Sequence, residues 1–255
     1  YACPSPILKK HTRTWTATDA CGNSTIVSQT ITVKCCPTIC TYTQGFYGNK
    51  NGKACTPAGP QVTSLSIMQA AMTAAGGSKD FGIVSGSNRY FKLVNADFSA
   101  GTNSNIYKML PGGGTPLSIG AGTVYTSYGN TSTWSRIPIQ TTNPGYGSIN
   151  NTLLSQTMAL FFNLNMDNTL GNFQLLATGI ITSPKASCGS TYPLATKDTF
   201  YIPQNVLDYL TGTNTATVTG LYNLANQYLG GFTINGMTIG NVNKAVDAIN
   251  RAFDK

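Results

Sequence analysis

The sequence predicts an α+β protein: an N-terminal β-hairpin arm followed by a mixed α+β domain with a helical C-terminus. Two observations carry this. Residues 12–18 and 25–33 alternate with period two and are rich in β-branched side chains, the pattern of half-exposed strands. Beyond residue 40 the period changes, and apolar residues recur at three- and four-residue spacing in five separate segments. Cysteines crowd the junction, so the division falls into an arm with its Cys-rich linker, residues 1–39, and an α+β domain, residues 40–255.

In the arm, "TRTWTAT" puts Trp15 and Ala17 on one strand face, and "TIVSQTITV" puts Val27, Ile31 and Val33 on one face. Between them "DACGN" is turn chemistry, so the two strands form a hairpin. In the domain, "SLSIMQAAMTAA" (64–75) predicts a short helix ended by Gly76 and Gly77. Segments 81–86 and 89–98 read as a strand pair around a Ser87-Asn88 turn, and "MLPGGGTP" (109–116) as a flexible loop. Residues 117–147 are rich in Gly, Thr, Ser and Tyr and suit short strands and turns. Leu153, Leu154, Met158, Phe161 and Phe162 give 148–167 helical spacing. The apolar run "GNFQLLATGIIT" (171–182) predicts a buried strand. Helices are expected over 203–212, 217–231 and 240–255, the last with Val242, Val246, Ile249 and Phe253 facing inward.

Composition narrows the function. Charged residues are 9% of the chain, against about a quarter in ordinary domains, and all eight acids are aspartate. The surface is therefore built from Thr, Ser, Asn, Gln and Gly, which suits an extracellular protein. The formal charge is +8, yet its densest cluster is only Lys9, Lys10, His11 and Arg13, so no nucleic-acid partner is expected. No apolar run approaches the ~20 residues that span a bilayer, so no membrane span is expected either. The expected location is extracellular, at a cell surface, for a secreted chain whose targeting segment has been removed.

Six of the seven cysteines, Cys3, Cys21, Cys35, Cys36, Cys40 and Cys55, precede residue 56, and Cys188 stands apart. In a chain this poor in charge they read as a disulfide framework, with the odd one free or bridging to another chain. A Cys40–Cys55 bridge would close a loop of about 15 residues and stabilise by roughly 3 kcal/mol. Zinc-finger spacing is absent, and no metal or cofactor is expected.

Residues 14–33, "TWTATDACGNSTIVSQTITV", resemble the closing hairpin of HYR-like, immunoglobulin-type repeats of long secreted bacterial surface proteins and adhesins. The resemblance implies that the arm is the last two strands of an incomplete immunoglobulin-like sandwich. Val27 stands where many repeats carry a second cysteine, and the earlier strands have no counterpart here. "CTYTQGFYGNKNG", "LPGGGTP", "NNTLLSQTMAL" and "VNKAVDAINRAF" are similar to a region that adjoins such repeats, which implies a surface location.

Catalytic motifs are missing: one histidine, His11, lies in the basic cluster, and no nucleophile elbow, P-loop, dinucleotide fingerprint or zincin helix occurs. The chain reads as a non-enzyme, with a hydrolase the remotest alternative. Asn23, Asn130 and Asn150 match the N-glycan acceptor pattern, and "DTF" at Thr199 resembles the Asp-Ser/Thr O-glycan acceptor of some bacterial surface proteins. Tyr-rich stretches such as "YTSYGNTSTW" could form sugar-binding platforms, and a module for surface glycans is the alternative function. The favoured one follows from the hairpin, which is marginal alone and exposes Trp15, Ala17, Val27, Ile31 and Val33. The chain is expected to be a pilus-like fibre subunit whose partner is itself, joined head-to-tail by β-strand complementation through residues 1–34.

Overall fold

The structure is a computed structural model, and it describes residues 7–34, 39–54, 62–83, 85–120, 122, 124–126, 147–182 and 197–253. The chain divides into two compact units, Tyr1–Thr38 and Ile39–Lys255.

The described residues of the first unit form one antiparallel hairpin. β1 (Ile7–Thr18) pairs with β2 (Ser24–Lys34), with Trp15 opposite Val27, Ala17 opposite Thr25 and His11 opposite Ile31. Both strands run longer than their alternating cores. Among the described residues the sheet has two strands, so the immunoglobulin-like sandwich is not formed. The turn closes through Asp19, whose N–H donates to the Asn23 carbonyl, and Gly22 takes φ +87°, a left-handed conformation that glycine adopts without strain.

Among its described residues the second unit mixes seven helices with small sheets. It begins with α1 (Gln44–Gly48), the two-residue pair β3 (Lys53–Ala54) and β4 (Val62–Thr63), and α2 (Ser64–Ala74). Next come β5 (Ser78–Ile83), β6 (Arg89–Val94), α3 (Ile106–Met109) and β7 (Val124–Thr126). Then α4 (Thr152–Met166), β8 (Ile180–Thr182) and β9 (Asp198–Phe200) follow. α5 (Gln204–Gly212), α6 (Val218–Leu229) and α7 (Ile239–Ala252) close it.

Most of these helices, though not α3 or α5, start where a side-chain oxygen satisfies one of their first N–H groups. Thr63, Asn151, Thr217 and Thr238 cap α2, α4, α6 and α7, each worth about 1 kcal/mol. α2 stops at Gly76 and Gly77, both at positive φ, with Gly77 N–H returning to Met72 O. α4 is the centre of the unit. Every residue from Leu153 to Asn163 is buried, and α2, α6, α7 and β5 surround it. A helix buried on all sides must satisfy its polar groups internally. Phe161 meets Phe81 edge-on, and Phe162 meets Phe98 in the same way.

β5, β6 and β7 form a mixed sheet. β5 and β6 are antiparallel with Phe81 opposite Phe91, both fully buried, while β7 runs parallel to β6. The expected strand over 89–98 ends at Val94, because the buried Asp97 carboxylate accepts the Val94 N–H and closes a 3₁₀ turn. The 109–116 loop is anchored at its start, while Pro111 and residues 113–115 are exposed. Met109 and Leu110 are buried, Gly112 N–H donates to Gln44, and a Cβ on Gly112 would stand 2.6 Å from that of Ser155. The buried strand expected over 171–182 reduces to β8. A 3₁₀ turn at Leu170–Asn172 and a turn through Leu176–Gly179 interrupt the run, and Leu176 and Ile181 are exposed.

One polar network ties the unit's beginning to its last helix. Asn163 Oδ1 accepts from Tyr42 N–H and from the Tyr47 hydroxyl, at 2.8 and 2.7 Å. Its Nδ2 donates to Tyr42 O and to Asn250 Oδ1, each at 2.9 Å. Asn250 donates to the Gln156 carbonyl and side chain, and Gln156 to Asp247. Alongside, Thr41 N–H donates to Phe253 O at 3.1 Å, and Phe253 N–H returns to the Thr41 hydroxyl.

Candidate interaction surface

The hairpin register sorts its side chains into two faces. One carries His11, Arg13, Trp15 and Ala17 beside Thr25, Val27, Gln29 and Ile31, with Lys9 paired to Val33 further along. Of the expected interface residues Trp15, Ala17, Val27 and Ile31 therefore share a face, and His11 and Arg13 share it with them. Trp15 is 46% exposed, Val27 61% and Ile31 54%, values far above those of packed apolar side chains. The Arg13 guanidinium lies 5.8 Å from the centre of the Trp15 ring, which covers part of the indole with a cation. The side chain of Val33 lies outside the described residues, and Ala17 is exposed.

The other face is a ladder of hydroxyls. Thr12 lies opposite Thr30 and Thr14 opposite Ser28, with oxygen separations of 3.4 and 3.1 Å. Ile26 interrupts the ladder at 65% exposure, an apolar residue that the alternation argument passed over because it falls among Thr and Ser. The outer edges of β1 and β2 have no backbone partner among the described residues. Unpaired edges and exposed apolar side chains on both faces are the features by which a sheet can accept further strands.

The turn at its tip is held by one carboxylate. Asp19 accepts from Cys21 N–H, Asn23 N–H and the Asn23 side-chain amide, each at 2.9 Å. These bonds, that to the Asn23 side chain first, hold its carboxyl below the ordinary aspartate value. A depressed folded pKa means support that is complete above the unfolded value and lost as pH falls through the folded one. NMR titration is therefore expected to move the Cys21 and Asn23 amides with one midpoint below about 3.9. The Asp19→Asn variant should abolish that titration, and a midpoint at or above the ordinary value would show the carboxylate bonds to be absent.

The other candidate residues are scattered. Cys21, exposed at the turn, and Cys40, half-buried, are free thiols. Cys40 is held by the core, its N–H donating to Asp167 and its neighbours bound to Phe253 and Asn163, while Cys55, the other end of the candidate bridge, lies outside the described residues. Cys3, Cys35, Cys36, Cys55 and Cys188 lie outside the described residues, as do Asn130 and most of the Tyr-rich stretch around it. Asn23 is exposed, Asn150 half-buried and Thr199 exposed on β9. His11 is exposed. Among the described residues no three His, Cys, Asp or Glu side chains converge on a metal position, and no helix is long and apolar enough to cross a membrane.

A second exposed region lies on the Ile39–Lys255 unit. β8 and β9 form a two-stranded sheet in which Ile180 and Phe200 turn toward α7, while Ile181 and Thr199 are exposed. Tyr201, just past β9, is also exposed and stands against Gly179.

No protein family matches the chain, and no curated protein or solved structure is significantly similar to it.

Proposed function

We propose that the chain is a non-enzymatic structural subunit of an extracellular fibre, assembled head-to-tail by β-strand complementation through its N-terminal hairpin. The observation that carries this reading is the hairpin itself: two long paired strands whose edges are unpaired among the described residues, with Trp15, Ile26, Val27 and Ile31 exposed. Two strands alone are marginal in water and acquire stability by adding to another sheet. A donor at one end of a subunit and an acceptor elsewhere make a heterologous contact, which propagates unless it closes a ring. The hydroxyl- and amide-rich composition, low in charge, suits the surface of an exposed polymer.

Electron microscopy of the full chain is expected to show uniform filaments, and a variant lacking residues 7–34 to give only single particles. Monodisperse particles from the full chain would overturn the reading. Specific capture on a glycan array by such particles would replace it with that of a carbohydrate-binding module.

A further inference from the structure

We infer that the acceptor for the hairpin is the outer edge of β9 in a second copy of the chain, with β1 added in parallel so that Arg13 lies opposite Asp198. This deepens the fibre reading and rests on it. Three features of β9 single it out. Among the described residues it is an edge strand paired with β8 alone, and no backbone group of residues 198–201 bonds to any other described element. It lies beside exposed apolar side chains, Ile181 and Tyr201. And Asp198, exposed on it, is the one described carboxylate of its unit that has neither a hydrogen bond nor an ion pair. Asp80 pairs with Lys92 and Asp247 with Arg251, while Asp97, Asp167 and Asp208 accept hydrogen bonds.

The donor has the complementary pattern. Residues 13–15 read Arg-Thr-Trp and residues 198–200 read Asp-Thr-Phe. In a parallel pair, opposed residues point to the same face. Arg13 then meets Asp198, Thr14 meets Thr199 on the reverse face, and Trp15 extends the aromatic surface of Phe200. The two threonines continue the hydroxyl ladder, and the charged and aromatic pairs each add a favourable cross-strand contact. Antiparallel addition about the same threonines would set the Asp198 carboxylate against the Trp15 indole and Arg13 against Phe200, losing the ion pair. Arg13 holds no carboxylate among the described residues, so the pairing displaces no existing salt bridge.

The test exchanges the charges. Arg13→Asp and Asp198→Arg each place like charges across the contact, and each is expected to raise the concentration needed for filament growth at least ~10-fold over the parent chain. Both positions are exposed, and circular dichroism should confirm that both variants fold as the parent does. Mixed in equal amounts, the two should co-assemble near the parental concentration, because each then offers the other a complementary partner. Rescue by mixing also requires the contact to run between molecules. Parental growth by either single variant, or failure of the mixture, would overturn the β9 assignment while filaments of the parent chain left the fibre reading standing. A parent chain that forms no filaments would overturn both.

Discussion

Replacing Asn163 with alanine is expected to lower the stability of the chain by about 4 kcal/mol, among the largest effects of a single substitution. The side chain is fully buried in α4 and makes four hydrogen bonds, two as acceptor and two as donor. Truncation withdraws both the acceptor and the donors from a network that reaches Tyr42, Tyr47 and Asn250. Each buried polar group deprived of its partner costs about 1–3 kcal/mol, and the vacated volume adds to that. Urea denaturation followed by circular dichroism measures the change, which corresponds to a fall of roughly 8–16 °C in melting temperature. Asn165→Ala is the control: that residue is exposed and donates only to the Phe161 carbonyl, so its loss should stay within about 0.5 kcal/mol. Equal losses from the two variants would show that the network contributes nothing beyond helix capping and propensity.

Gly48→Ala is expected to cost about 3 kcal/mol for a different reason. A Cβ on Gly48, at the end of α1, would overlap the Leu110 carbonyl and the Pro111 nitrogen. These are main-chain atoms beside the buried Leu110 and Tyr47, so no flexible side chain can swing aside. The core must shift instead, and overpacking of this kind typically costs 1–3 kcal/mol or more. Gly212→Ala has the opposite sign. That glycine ends α5 with nothing within 4 Å of an added Cβ, so alanine should stabilise by roughly 0.5 kcal/mol through its helix propensity. Paired thermal melts read both shifts, and a destabilisation at Gly212 as large as that at Gly48 would refute the steric account.

Where local chemistry decides the structure, the sequence is legible. The hairpin, α2, α4, α5, α6 and α7 follow from periodicity, caps and the Gly76-Gly77 stop, because these act within four or five residues. The failures occur where a distant partner decides. The run 171–182 is apolar without a period, and it breaks because Gln174 bridges to Thr217 and Leu175 bonds to Ala216 across 41 residues or more. The 109–116 loop reads as flexible from its glycines, but those glycines permit its close approach to α4. Asn163 and Asn250 carry no signal in a hydropathy pattern, since an asparagine inside a helix usually marks a solvent face. The hairpin's exposed face is legible as residues, and Ile26 is missed because it lies outside the alternation. The edge of β9 is not legible, since three residues make no period and their openness is a property of the fold.

The bond from Thr41 N–H to Phe253 O places the first and last described segments of the Ile39–Lys255 unit side by side. This has a mechanical meaning. Tension applied between residues 41 and 253 would load the few bonds at that one pole, those of Thr41, Phe253 and the adjoining Tyr42–Asn163 pair, and would pass by the helices around α4. In a filament joined through β9, the pull would pass from Thr41 into α7, to which both Thr41 and β9 are held, and α4 would lie off that line.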